Sequence, residues 1–249
     1  MQQLLQQDLI PALWIAFAVY WTLAAVHQSR VKESESQNDL WFYCAVGAFA
    51  FLLLFYVRDR IAALLIVLGL FYGLLAVVGT KQTKRRESLL SRLPHIAAMI
   101  AAFIVLFERP VRLGPLSYRF LPNSQTTAWA GALLTACGVA VAIWARVYLG
   151  ANWSANVKIR ANHTLVRTGP YARLRHPVYS GVLLAISGTA LVEGEWRGLV
   201  ALAVALTAFS IKAKREEAFL RGEFGSEFVE HARYAGFFLP RLVRHGTDR

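Results

Sequence analysis

Apolar residues in this chain come in long blocks rather than in alternation with polar ones. The blocks cover residues 9–26, 40–57, 61–78, 94–107, 125–149, 178–192 and 198–211. An α-helix needs about 17–25 mostly apolar residues to cross the hydrocarbon of a bilayer. The pattern therefore predicts an all-α fold, a polytopic transmembrane bundle of about seven helices. The fourth, sixth and seventh blocks are short, which fits tilted helices or helices with polar extensions; a partly re-entrant final hairpin is the alternative.

Lysine and arginine are distributed unevenly between successive loops. Residues 27–39, 79–93, 150–177 and 212–249 hold 20 of the 27 basic residues, the opposite set of loops holds 6, and Arg146 lies within an apolar block. Cytoplasmic loops of membrane proteins carry the excess of Lys and Arg. We therefore expect the N-terminus to lie outside and the C-terminus in the cytosol.

Composition agrees with a membrane protein. Hydrophobic residues make up 56% of the chain and charged residues 17%, whereas about a quarter of a soluble domain is charged. The net charge is +12, and the basic residues that produce it flank the apolar blocks. This arrangement indicates lipid headgroups rather than nucleic acid as the partner. Cys44 and Cys137 lie in apolar blocks and are expected to be buried. The first block lacks a cleavage pattern and is expected to be a retained helix.

Polar residues cluster in two stretches on the predicted cytosolic side, residues 152–179 and 212–240. Only the last apolar hairpin separates them, so both should meet over the same end of that hairpin. Pro177 suits the first turn of a helix, which would place His176 and Tyr179 within one turn of each other at the membrane boundary. Taken singly, these residues could be headgroup anchors, an aromatic belt or surface ion pairs. Their combination indicates a site.

The two stretches carry a two-part motif. HTLVRTGPYARLRHPVYSG is followed one hairpin later by REEAFLRGEFGSEF and a late Leu-Pro. This motif resembles the isoprenylcysteine carboxyl methyltransferase family, related to the phospholipid N-methyltransferases, in a bacterial-type member. The resemblance covers about residues 150–242. The apolar blocks predict four N-terminal transmembrane helices in residues 1–124, and the resemblance implies a methyltransferase core in residues 125–249, with three helices and a cytosolic cap. A bacterial-type member implies a bacterial inner (plasma) membrane location, and the distribution of basic residues predicts that the active site faces the cytosol.

The resemblance further implies that the cap binds S-adenosyl-L-methionine. By position in the motif, the cofactor-binding residues are Asn156, His163, Thr164, Leu165, Val166, Tyr171, His176, Pro177, Val178, Tyr179 and Glu216. Lys212 and Arg175 would be catalytic, and Lys212 and Trp153 would bind the substrate. Methyl transfer from a sulfonium requires mainly positioning and exclusion of water. The histidine spacings match no ligand pattern, so no metal site is predicted.

The predicted function is transfer of a methyl group to a carboxylate, thiol or amine of a lipophilic substrate that enters from the bilayer. Membrane lipids are the other predicted partners. Two alternatives remain open at this point. An NADPH-dependent reductase of sterol-like enones shares a late RH…Y motif, but it would favour Asn where Val178 stands. A transporter or membrane scaffold is the other alternative, although a transporter should carry more intramembrane charge than Arg146.

Overall fold

The structure is a computed structural model that describes residues 5–30, 89–107, 114–149 and 165–241, and these residues form mainly helices. Their bounds are Ile10–Arg30 (α1, preceded by a π-helical turn at Leu5–Leu9), Leu89–Phe107 (α2), Gln125–Leu149 (α3), Pro177–Glu193 (α4) and Trp196–Tyr234 (α5). Single 3-10 turns cover Gly114–Ser117 and Gly169–Ala172. By length and composition, α3 and α5 could each cross a membrane, while α4 is a shorter apolar helix.

The helical fold class is thus confirmed for the described part of the chain. The fifth apolar block coincides with α3, and α2 and α5 extend past their apolar blocks with polar residues, as the short blocks suggested. The second and third blocks lie outside the described residues. Cys137 is exposed, so the prediction that it is buried is wrong, because an apolar block also supplies the outward faces of a helix. Cys44 lies outside the described residues.

Two compact units are present, one containing α1 and the other containing α2 and the residues from 114 onward. Within the second unit, α2 packs on α5 and α3 packs along α4. The predicted division at residues 124 and 125 remains a prediction.

Glycines allow α3 and α4 to pack backbone against backbone. A methyl group on Gly181 would overlap the backbone of Ala142, and one on Gly138 would overlap that of Ala185. Nearer the C-terminal end of α4, the buried hydroxyl of Thr135 lies 3.3 Å from that of Thr189. Small residues let helices approach closely and hydrogen bond across the interface. This contact fixes α4, and with it the N-terminal end of α4 that carries the candidate site.

A substitution at this contact should be costly. We expect Gly181→Ala to lower the free energy of unfolding by about 1–3 kcal/mol, because the added methyl forces the two backbones apart. Gly222 is helical and has open space around it, so Gly222→Ala should leave stability unchanged or raise it by up to about 1 kcal/mol. Thermal unfolding of both variants in detergent measures the difference. Equal melting temperatures for the two variants would contradict the packing described for α3 and α4.

The turn between α4 and α5 closes the end of α4 remote from His176. Gly194 ends α4 with a φ of 64°, a left-handed conformation that glycine adopts without a steric cost. The Phe120 N–H donates to the Gly194 carbonyl over 2.9 Å. The buried guanidinium of Arg197 donates to Glu193 and to Glu195, at 3.1 and 2.6 Å. The chain therefore reverses direction in a tight turn between α4 and α5.

Helix α5 bends at Gly225, whose φ of 50° and ψ of −120° are not helical. The bend has a consequence for residues 235–238, which follow the helix. Arg175 contacts both Glu217 and the carbonyl of Ala232. In a straight helix Glu217 and Ala232 would stand roughly 20 Å apart at 1.5 Å per residue. The bend therefore brings the end of the helix back towards the start of α4.

Candidate active site

His176 lies at the centre of the candidate site. It is the residue before α4, and Pro177 is the first residue of the helix, where its missing N–H costs no hydrogen bond. The His176 side chain is 6% exposed. Its ring is parallel to that of Tyr179, with centroids 5.5 Å apart, and meets the ring of Phe237 edge-on at 5.1 Å. The predicted placement of His176 and Tyr179 within one turn is confirmed.

Two consecutive carboxylates of α5 serve different partners. The Tyr179 hydroxyl donates to Glu216 Oε1 over 2.6 Å, and His176 Nε2 lies 3.2 Å from Glu217 Oε1. Neighbouring residues on an α-helix point about 100° apart, so one glutamate reaches Tyr179 and the other reaches His176. The expectation that residues 152–179 and 212–240 meet at one end of the hairpin is confirmed for their described parts.

The bond to Glu217 fixes the tautomer of His176. A carboxylate can only accept, so the proton of that bond is on Nε2. In the neutral imidazole, Nδ1 then carries the lone pair, and it lies 3.8 Å from Glu216 Oε2. Nδ1 and Glu216 thus present two acceptors side by side. Such a pair suits a ligand that brings N–H or O–H donors.

Arg175 connects the site to the end of α5. Its Nε donates to Glu217 Oε1 over 2.6 Å, and its Nη1 donates to the carbonyls of Ala232 and Ala235 at 3.0 and 2.9 Å. Its backbone N–H also donates to the Gly236 carbonyl over 2.8 Å. These bonds hold residues 235–238 over His176. The guanidinium of Arg175 is therefore occupied by protein groups.

The pKa of Glu217 reflects these contacts. Burial alone would raise it, but hydrogen bonds from His176 and Arg175, together with the positive charge of Arg175, outweigh burial and hold the pKa below its ordinary value. The carboxylate is therefore charged at neutral pH, and it forms a buried ion pair with Arg175.

On α5, Lys212 lies about one turn before the two glutamates, and Phe209 lies about two turns before them. The Lys212 Nζ atom lies 5.4 Å from the centre of the Tyr179 ring, a cation–π distance. The Phe209 ring stacks on that of Tyr179 with centroids 4.7 Å apart. Since Tyr179 also donates to Glu216, Lys212 and Glu216 approach the same tyrosine. The two side chains, four residues apart, therefore share a face of α5.

Tyr171 is buried in the 3-10 turn before α4. Burial and the charge of Glu216 raise its pKa, while the positive charge of Arg146 lowers it by a smaller amount. The phenol therefore stays protonated near neutral pH and can act as a hydrogen-bond donor. Arg146 is itself 3% exposed, near the end of α3. The turn that carries Tyr171 ends at Ala172, four residues before His176.

Several predicted residues cannot be located. Trp153, Asn156, His163 and Thr164 lie outside the described residues. Leu165, Val166 and Val178 are described and half-buried, and Pro177 is buried. Among the residues that the structure describes, no group of three His, Cys, Asp or Glu side chains is arranged to hold a metal ion.

Sequence reasoning missed Glu217 and Phe209 as members of the site. The motif marks only Glu216 of the acidic pair, and Phe209 is one apolar residue of the last block. The adjacent pair of acidic residues could have indicated two differently directed carboxylates, because neighbours on a helix diverge. No comparable pattern in the sequence marks Phe209.

Comparison with known proteins gives three findings. Residues 126–227 match the family described as phospholipid methyltransferase. A probable protein-S-isoprenylcysteine O-methyltransferase from Oryza sativa subsp. indica is 29% identical over 182 residues, covering 72% of this chain and 93% of the rice protein. The cobalt-zinc-cadmium resistance protein CzcN of Cupriavidus metallidurans is 36% identical over 119 residues, or 46% of this chain. The chain thus spans about half, 52%, of the length of CzcN.

Among solved structures, the fold is similar to the eukaryotic intramembrane Ras methyltransferase ICMT (isoprenylcysteine carboxyl methyltransferase). The TM-score is 0.43 and the identity 18%, over 89% of this chain and 83% of the solved one.

The family match contains the cluster formed by His176, Tyr179, Glu216 and Glu217. The matched family and the rice relative are both described as methyltransferases. The chain is similar to the isoprenylcysteine carboxyl methyltransferases and the phospholipid methyltransferases, so the resemblance predicted from the two-part motif is confirmed, while the bacterial type remains a prediction.

Proposed function

We propose that this protein transfers a methyl group from S-adenosyl-L-methionine to a carboxylate, thiol or amine of a lipophilic molecule in the membrane. The observation that carries the proposal is the cluster in which His176 and Tyr179 of one motif half bond to Glu217 and Glu216 of the other. This cluster lies within the residues that match the phospholipid methyltransferase family.

The residues of the cluster fit the cofactor chemically. S-adenosylmethionine offers an ammonium and a ribose diol as donors, and Glu216 with His176 Nδ1 offers adjacent acceptors. A charge-assisted bond to a carboxylate is about twice as strong as a neutral one. The cofactor, when bound, supplies an electrophilic methyl group on a sulfonium. We propose that Glu216, His176 and Tyr179 hold its polar end, together with Tyr171 and residues 163–166 named by the motif.

Residues of this chain would supply orientation and exclusion of water rather than acid–base chemistry. The rings of Phe237 and Phe238 lie edge-on to His176, with centroids 5.1 and 6.1 Å away. The Ser180 hydroxyl holds this segment by donating to the Phe238 carbonyl over 2.8 Å. A dry, rigid wall favours methyl transfer, because the reacting atoms need in-line placement and water competes as an acceptor.

The contacts of Arg175 refine its predicted catalytic role. Its guanidinium bonds to Glu217 and to two backbone carbonyls. We propose that Arg175 is a positioning residue, which holds Glu217 and residues 235–238 in place, rather than a group that touches the substrate. Lys212 then becomes the candidate for contact with the acceptor.

A methyl-transfer assay tests the proposal. Purified protein in liposomes is supplied with tritiated S-adenosylmethionine and one of three acceptors: N-acetyl-S-farnesylcysteine for a carboxylate, farnesyl thiol for a thiol, or phosphatidylethanolamine for an amine. We expect label in the organic phase with at least one acceptor, and loss of that label in Glu216→Ala. Label that is absent with all three acceptors and with total lipid of the producing cells would contradict the proposal.

Lys212 should affect the acceptor and not the cofactor. If the acceptor carries a negative charge, Lys212→Ala should slow turnover at sub-saturating acceptor by about tenfold, the effect of one hydrogen bond to a charged group. Lys212→Arg should retain much of the activity, because it keeps the charge. The affinity for S-adenosylmethionine should stay unchanged in both variants. Unchanged turnover in Lys212→Ala would indicate that Lys212 only extends towards headgroups, and would favour an amine or thiol acceptor.

The proposed membrane arrangement has seven spans, with the site facing the cytosol of a bacterial inner membrane. It is supported by the excess of basic residues in alternate loops and by two helices long and apolar enough to span. Cysteine labelling tests it in a chain with Cys44 and Cys137 replaced by alanine. A cysteine at Thr83 or Thr247 should react only from the cytosolic side, and one at Ser117 only from the opposite side. Labelling of Ser117→Cys and Thr247→Cys from one side would contradict the arrangement.

A further inference from the structure

One helix outside the matched residues reaches the candidate site. Helix α2 packs on α5, and its His95 ring lies 5.4 Å from the ring of Phe209. His95 Nδ1 is also 3.2 Å from the Ala208 carbonyl. Since a carbonyl only accepts, Nδ1 carries the proton of this bond. His95 is therefore attached to α5 by both a hydrogen bond and a ring contact.

The ring contact extends into the site. His95, Phe209, Tyr179 and His176 form a row of four rings, with successive centroids 5.4, 4.7 and 5.5 Å apart. Aromatic neighbours at these separations restrict each other's orientation. The row begins on α2 and ends at the residue that binds Glu217. His95 contacts this row at Phe209, and the Phe209 ring stands between His95 and Tyr179.

The position of His95 along the row indicates which side of the site it affects. Its hydrogen bond is made at Ala208, next to Phe209 and one turn before Lys212 on α5. Lys212 Nζ approaches Tyr179 and is the residue proposed above to meet the acceptor. Of the groups proposed to hold the cofactor, Tyr179 is separated from His95 by the Phe209 ring, and His176, with Glu216 beside it, lies at the far end of the row. His95 therefore supports the acceptor side.

We propose that His95 is a positioning residue for the methyl acceptor, which acts from α2 by fixing Phe209 and the turn of α5 that carries Lys212. The inference rests on the proposed methyltransferase function. Residue 95 lies outside residues 126–227 that match the family, so this part of the acceptor site is supplied by a segment that the family match does not include. In this role His95 transfers no proton and forms or breaks no covalent bond during methyl transfer.

Three substitutions separate the two contacts. His95→Asn retains a donor near the position of Nδ1, His95→Phe retains a ring against Phe209, and His95→Leu removes both. The control is Ala97→Leu, at an exposed position of the same helix. Three quantities are measured for each variant: the KM for the acceptor, the kcat, and the Kd for S-adenosylmethionine. The kinetics are measured in liposomes, with whichever acceptor the wild type methylates, either one of the three named above or one present in total lipid.

We expect His95→Leu to raise the acceptor KM by about three- to tenfold, the effect of losing one neutral hydrogen bond with its ring contact. The Kd for S-adenosylmethionine should remain within about twofold of wild type, and His95→Asn should recover most of the loss. Acceptor kinetics unchanged in His95→Leu, or a cofactor affinity that falls in proportion, would overturn this inference alone. A wild-type protein that neither binds S-adenosylmethionine nor methylates any acceptor would instead refute the proposed function, and this inference with it.

Discussion

Glu217→Gln should destabilise the protein by about 3–5 kcal/mol at neutral pH, the cost of removing one partner from a buried ion pair. Arg175 and Glu217 are joined by a 2.6 Å bond, and their side chains are only 11% and 10% exposed. Glutamine keeps the shape of the side chain but leaves the guanidinium buried without its counter-charge. Chemical denaturation in detergent, followed by tryptophan fluorescence, measures the loss.

The chain contains a matched control for this substitution. Arg167 and Glu227 are also 2.7 Å apart, but their side chains are 44% and 42% exposed. An exposed ion pair contributes about 0–1 kcal/mol, so Glu227→Gln should have little effect. Equal losses for Glu217→Gln and Glu227→Gln would contradict the assignment of a buried pair.

The same pair predicts a dependence on pH. The folded-state pKa of Glu217 lies below its ordinary value of 4.5. A group with a lowered pKa contributes its full stabilisation above the unfolded value and loses it as pH falls through the folded value. The stability difference between wild type and Glu217→Gln should therefore be constant from pH 7 down to the ordinary value, and should shrink below it. A difference that shrinks already between pH 7 and 6 would contradict the lowered pKa.

His176→Ala and Glu216→Ala should each weaken binding of S-adenosylmethionine by at least about tenfold, or about 1.4 kcal/mol, which corresponds to losing one hydrogen bond to a charged group. Glu216 accepts from Tyr179, and its second oxygen lies 3.8 Å from His176 Nδ1. Removing either side chain therefore removes half of the acceptor pair. Equilibrium dialysis with tritiated cofactor measures the change.

The control for this pair of substitutions is Glu223→Ala, at an exposed position of the same helix, which should leave the cofactor affinity within about twofold. Circular dichroism of each variant shows whether it remains folded. Wild-type affinity in folded His176→Ala and Glu216→Ala would place the cofactor elsewhere.

The membrane-type helices could be predicted because hydropathy reports directly on the segments that avoid water. The block at residues 125–149 coincides with α3. A polar extension of α5 was expected from its short apolar block, but the length of that extension, from Lys212 to Tyr234, could not be predicted in this way. Its stability comes from contacts with Tyr179, His176 and Arg175 rather than from apolar composition. The bend at Gly225, which returns the chain to Arg175, leaves no mark on hydropathy either.

The candidate site was predictable where it depends on local geometry. Pro177 begins a helix, so His176 and Tyr179 had to lie within one turn. The partners of Glu217 depend on the rotation of α5 against α4, which packing decides and the sequence pattern does not show. The contribution of His95 depends on α2 lying beside α5, a long-range contact for which the motif contains no information.

Binding of S-adenosylmethionine to detergent-purified wild-type protein tests the central claim most directly. Tritiated cofactor is dialysed against the protein, with unlabelled S-adenosylhomocysteine or NADPH as competitor. We expect saturable, stoichiometric binding of the cofactor, which S-adenosylhomocysteine displaces and NADPH does not. Displacement by NADPH, or the absence of saturable binding by a folded protein, would contradict it.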